Sequence, residues 1–87
     1  MSHFEGAVIR EQGVTFAVVI VRPSVIQSTI EASRAIQSFQ PVFPGIPVVL
    51  MAQDGSGRAT YYGRRDLSQF MSKVPLRAVP WKRYTIN

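Results

Sequence analysis

The chain has 87 residues, with ten Lys or Arg against five Asp or Glu, a net charge of +5 and 46% hydrophobic residues. That length holds one domain, residues 1–87, burying roughly 60% of its unfolded surface, and the apolar share argues against disorder. The absence of cysteine excludes disulfides, thiolate zinc sites and thiol catalysis, and fits a reducing cytoplasm.

Residues 1–6 show no basic start leading into an apolar run, so no signal peptide is expected. The longest apolar run, 16–21, falls far short of the about 20 residues that cross a bilayer. Residues 6–10 and 14–21 read as two strands around a Glu11-Gln12-Gly13 turn, with Gly13 free to take a positive φ. The second of them is apolar on both faces, the mark of a central strand covered on two sides. Arg22-Pro23 ends it. Ser24, with Gln27 three residues on, reads as a capping box. The helix it opens should run to about Ser38, with Ile26, Ile30, Ala32, Ala35, Ile36 and Phe39 on its apolar side.

Pro41, Pro44, Gly45 and Pro47 make residues 40–47 a stiff loop, with Val42 and Phe43 tucked beneath it. Residues 48–52 form another strand apolar on both faces. Asp54-Gly55-Ser56-Gly57 is the strongest turn signal and points to a primed hairpin turn. Residues 58–62 return as its partner, with Arg58, Thr60 and Tyr62 on one face and Ala59 and Tyr61 on the other. Asp66 is the expected N-cap of a second helix, with Gln69 at its third position. Leu67, Phe70, Met71 and Val74 form that helix's apolar stripe, and Pro75 stops it. Residues 76–86 read as a last strand, confined by Pro80 to a sheet edge or a bulge.

The order ββαββαβ predicts an α+β fold, with two helices packed on a mixed sheet of about five strands. If the first helix links strands two and three as parallel neighbours, the crossover is right-handed. Two strands apolar on both faces, with both helices on one face, would leave the other face to be covered by a partner, most simply a second copy of the chain.

The stretch Ile46-Pro47-Val48-Val49-Leu50-Met51, Asp54-Gly55, Gly63 and Leu67-Ser68-Gln69-Phe70-Met71 resembles the second half of a thioredoxin-like domain. The resemblance covers about a third of the chain. It implies a proline before an apolar strand, a hairpin, a glycine and a closing helix, with Pro47 at the position where that family has a cis-proline. The family's redox cysteine pair is absent, so no redox function follows.

Little in the chain points to catalysis. His3 is the only histidine and lies in an expected loose terminus, a poor place for a general base. Asp54 is explained by a turn and Asp66 by a cap. No paired carboxylates or metal-ligand spacing occur, so neither enzyme activity, a metal nor a cofactor is expected. Asp54-Gly55-Ser56-Gly57-Arg58 enters a strand and lacks the lysine of a phosphate-cradling loop.

The charge is lopsided. Residues 58–87 carry seven cations and one anion, while residues 1–57 carry three cations and four anions. Aromatic residues interleave with these cations, which points to an anionic partner such as RNA or single-stranded DNA. Arg58, Tyr62, Arg64, Arg65, Arg77, Trp81, Lys82 and Arg83 are the candidate contacts. Arg64 and Arg65 would hold phosphates before a helix, and Trp81 would stack beside Lys82 and Arg83. The plainer reading makes Asp66 satisfy the helix start and Trp81 a core residue on a charged edge strand. Three functions therefore compete. A non-catalytic protein-interaction module, most simply a homodimer, comes first. A nucleic-acid or polyanion binder follows. A small-molecule pocket under the 41–47 loop has no specific support.

Overall fold

The computed structural model describes residues 2–11 and 13–86. Five strands form one mixed sheet: β1 (Ser2–Glu11), β2 (Val14–Ile20), β3 (Val48–Gln53), β4 (Ala59–Tyr62) and β5 (Lys82–Ile86). Their order is β4-β3-β2-β1-β5. β2 and β3 run parallel, and the other neighbouring pairs are antiparallel. Helices α1 (Pro23–Gln27) and α2 (Thr29–Phe39) link β2 to β3, and α3 (Arg65–Met71) lies between β4 and β5. This is an α+β fold on a five-stranded mixed sheet, as the element order predicts.

The helices occupy opposite faces of the sheet, which corrects the expectation of a bare face. Ala17, Val19, Val48 and Leu50 pack with Ala32 of α2 and Phe43. Phe16, Val18, Val49 and Met51 pack with Leu67 and Met71 of α3 and with Val79. Alternate side chains of β2 and β3 thus enter two separate cores. Phe16, Val18, Val19, Val49 and Leu50 are each 0% exposed, and each such burial stabilises by about 1.5–3 kcal/mol. The doubly apolar strands are explained within one chain, and the need for a second subunit over an open face disappears.

The remaining differences have local causes. β1 begins at Ser2 because β5 pairs with it from Ser2↔Ile86 to Gly6↔Lys82. His3 is therefore in a strand, with its Nδ1 3.3 Å from Thr85 Oγ1. The first helix is broken at Ser28, which has extended backbone (φ −115°, ψ 121°). Ser28 Oγ accepts from the Glu31 N–H at 3.2 Å. The cap is thus Ser28 followed three residues later by Glu31, rather than Ser24 with Gln27. The 3-10 turn Gln40–Val42 follows α2. The Gln40 side-chain amide donates to the carbonyls of Phe43 and Ile46, and buried Phe43 lies beneath the loop. No cis peptide bond occurs among the described residues, so Pro47 lacks the geometry that the thioredoxin-like resemblance implies. Residues 76–81 are not strand. Leu76–Ala78 form a 3-10 turn, and β5 starts only at Lys82, beyond Pro80, which has no N–H to give a ladder.

The β3–β4 turn differs from the primed type. Gly57 N–H donates to Asp54 O and Asp54 N–H to Arg58 O, while Gly57 has φ +86°. That is a three-residue loop ending in a left-handed glycine bulge. Asp54 Oδ1 takes three bonds, from the Ser56 N–H, the Ser56 hydroxyl and the Arg58 N–H. The side chain therefore fixes the alternative turn.

Candidate functional site

Hydrogen-bond alternation shows which strand edges are open. Ala17 N–H donates to Pro47 O and Val21 N–H to Met51 O. Odd-numbered residues of β3 therefore bond to β2, and Leu50 and Ala52 bond to β4. Their partners are Tyr62 and Thr60. The main-chain N–H and C=O groups of Ala59 and Tyr61 consequently point away from β3. β4 is the outermost strand on that side, so these four groups line an open edge. By the same alternation, Lys82 and Tyr84 of β5 bond to β1, and Arg83 and Thr85 turn theirs outward.

The two edges differ in character. β5 carries Lys82 and Arg83, exposed charged residues of the kind that block strand addition. The Lys82 ammonium lies 5.6 Å from the Tyr84 ring centroid, and Tyr84 stacks on Phe4 at 5.1 Å. β4 contains Ala59, Thr60, Tyr61 and Tyr62, all uncharged. Its cations stand outside the strand, Arg58 before it and Arg64 and Arg65 after it. Ala59, Thr60 and Tyr61, with Ser68 and Gln69 of α3 and its C-cap Ser72, line a shallow groove beside this edge. The side chains of Ala59 and Tyr61 belong to the α3 side of the sheet. Partial burial raises the Tyr61 hydroxyl above its usual pKa. Ser68 Oγ is occluded and has no hydrogen-bond partner.

The structure divides the eight candidate contact residues predicted from sequence. Arg58 is in the β3–β4 turn. Half-buried Tyr62 ends β4 and packs on the α1–α2 side. Arg64 is the N-cap residue of α3, and Arg65 is its first residue. Asp66 is not the cap. It lies in the first turn and binds Arg64 bidentately, with both contacts at 2.9 Å. Arg64 holds the Asp66 carboxyl below the usual carboxylate range, and Asp66 raises the guanidinium in return. Arg77 is exposed on the 3-10 turn that precedes β5. Trp81 is part-buried against the α3-side core, and its indole N–H donates to Leu76 O at 3.1 Å. Lys82 and Arg83 lie on β5. β4 and β5 are opposite edges, four strand spacings or about 19 Å apart. The cations therefore form no single track. Trp81 lies before the strand and is anchored by its polar end.

Other candidates are weaker. A cleft lined by Pro23, Ile26, Gln27, Ala52, Asp54 and Thr60 lies at the C-terminal ends of β2 and β3. Its one charged group, Asp54, is occupied by the turn. Among the described residues, no three His, Asp or Glu side chains group as metal ligands. Among the described residues, no helix is long and apolar enough to cross a membrane.

No family model, curated protein or solved structure matches this chain.

The open β4 edge was hidden from the sequence because strand order was. Once β4 is outermost, the signal is visible in Ala59-Thr60-Tyr61-Tyr62, the uncharged one of the two edge strands.

Proposed function

We propose that the protein is a non-catalytic protein-interaction module whose binding element is the outer edge of β4. The observation that carries this reading is the outward orientation of the Ala59 and Tyr61 main-chain groups on an uncharged terminal strand. A strand supplied by a partner would satisfy those groups through main-chain hydrogen bonds, and the groove beside α3 would take alternate side chains. Homodimerisation through this edge is one form of the reading, with two β4 strands joining the sheets of two copies. The lack of cysteine supports a reducing compartment such as the cytoplasm.

The competing reading, RNA or single-stranded DNA binding, draws on the net charge of +5. It is weakened by the separation of Arg58, Arg64 and Arg65 from Lys82 and Arg83 across the sheet, and by the anchoring of Trp81.

The test compares wild type with Ala59→Pro on an array of ten-residue extended peptides of varied composition. Proline at 59 removes an outward N–H at the first position of β4, where the ladder to β3 loses nothing. The reading expects peptide binding or self-association by wild type and its loss in a folded Ala59→Pro protein. Binding that survives the substitution, or wild type that neither self-associates nor binds any peptide, overturns it.

A further inference from the structure

We infer that the occupant of the β4 edge is an extended acidic segment of another protein, with carboxylates at both ends of a short uncharged stretch. This deepens the proposed reading of the edge and rests on it.

The argument begins with charge. Among the described residues the one ion pair is Arg64–Asp66. Arg58 and Arg65 are exposed and form no ion pair; Arg58 directly precedes β4, near the Asp54 carboxylate, and Arg65 opens α3 three residues past the end of β4. At about 3.4 Å per residue, seven residues of partner strand reach past both ends of β4. Carboxylates at the two termini of such a segment would come near exposed cations at each end of β4 in either strand direction. The middle of the edge carries no charge, so it selects an uncharged centre.

The groove adds a second preference. Strand addition would direct alternate partner side chains to the α3 side, beside Ser68, Gln69 and Ser72. Together with Ala59 and Tyr61 they make a shallow groove that takes side chains such as Ser, Thr or Val. A second copy of this chain fits less well. Pairing two β4 strands with Tyr61 opposite Tyr61 sets Arg58 of each copy against Arg64 of the other, like charges directly opposed. The register centred on Thr60 avoids that clash, yet it spans only residues 58–62 of each copy and joins two chains of charge +5.

The experiment uses the full chain, labelled with nitrogen-15, and three acetylated peptides. One is Asp-Glu-Thr-Val-Thr-Val-Thr-Val-Glu-Asp. In the second, Asn and Gln replace the acids, and in the third Lys replaces them. The acidic peptide should shift the amides of Ala59 and Tyr61 and bind about tenfold more tightly than the neutral one, with the gap closing at high salt. The Lys peptide should bind weakest. The pair Arg58→Glu and Arg65→Glu, both at exposed positions, should reverse the order of the acidic and Lys peptides. Equal binding of acidic and neutral peptides would overturn this inference and leave the edge reading standing. So would a doubling of solution mass abolished by Ala59→Pro, which makes the occupant a second copy. Shifts on β5 alone, or saturable RNA binding with no edge response to any peptide, would overturn both.

Discussion

Gly63 decides whether α3 can cross the sheet and form the groove beside β4, and Gly63→Ala measures how strictly. The residue has φ +150°, a backbone region that costs a side-chain-bearing residue about 1–3 kcal/mol. An added Cβ would also lie 3.2 Å from Val49 Cα and 3.3 Å from Val48 O. Both contacts are main-chain atoms of β3, in a buried part of the strand, so they yield only by moving the core. Alanine returns about 0.4–1 kcal/mol by restricting the unfolded chain. The net expected loss is about 2–3 kcal/mol, a large share of the roughly 5–15 kcal/mol that holds a domain together. In urea, with a slope of about 1–3 kcal/mol per molar, the midpoint should fall by about 0.7–3 M. Two internal controls separate the contributions. Gly57 has φ +86° but nothing within 4 Å of the added carbon, so Gly57→Ala should cost about 1–2 kcal/mol. Gly55 lacks both a positive φ and a close neighbour, so Gly55→Ala should stay within about 0.5 kcal/mol of wild type. A Gly63→Ala midpoint equal to that of Gly55→Ala would refute the geometry assigned to the β4–α3 junction.

Three further predictions follow from individual contacts. Ser68→Ala removes an occluded hydroxyl with no partner, so it should be neutral or raise the melting temperature, by up to about 1 kcal/mol of stability; a clear loss would mean the hydroxyl is bonded. Trp81→Phe breaks the indole bond to Leu76 O and should cost about 1–2 kcal/mol in chemical denaturation; an unchanged midpoint would contradict the anchoring role. Asp54 is held below its ordinary pKa, first by the Ser56 hydroxyl and then by the Arg58 and Ser56 N–H groups. A depressed folded pKa gives stability that is present above the unfolded value and lost as pH falls through the folded one. Loosening of the β3–β4 turn should therefore appear only in acid, below about pH 4, and a carboxyl titration by NMR placing Asp54 at or above the free-aspartate value would contradict it.

Much of the fold is legible because periodicity and turn chemistry are local. The apolar runs of β2 and β3, the stripe Leu67, Phe70, Met71 and Val74, and the Asp54–Gly57 turn all announce themselves within a few residues. What fails is either non-local or a contest between two local signals. Both Ser24 and Ser28 offer a helix cap, and the extended backbone at Ser28 goes to the one with Glu31 three residues on. Asp54-Gly55 favours a primed turn, yet the three bonds to Asp54 Oδ1 and the left-handed Gly57 stabilise a bulged one. Asp66 falls inside the first turn of α3, with Arg64 at the cap position, and its carboxylate pairs with that residue's guanidinium. Placement of the helices on opposite faces and the outermost position of β4 depend on strand order, which no local pattern encodes. The candidate site inherits that difficulty. The basic residues are conspicuous in sequence but scattered in space, whereas Ala59 and Tyr61 are inconspicuous in sequence and become informative only at an edge.

Amide hydrogen exchange across β4 tests the central claim most directly. In the free, dilute protein the amides of Ala59 and Tyr61 should exchange orders of magnitude faster than those of Thr60 and Tyr62, which donate into β3. Addition of the acidic peptide should slow Ala59 and Tyr61 and leave the ladder to β3 unchanged. Four equally protected amides in the free protein would mean the edge is already closed. Unchanged fast exchange at Ala59 and Tyr61 with saturating peptide would mean that partners, if bound, do not add a strand there.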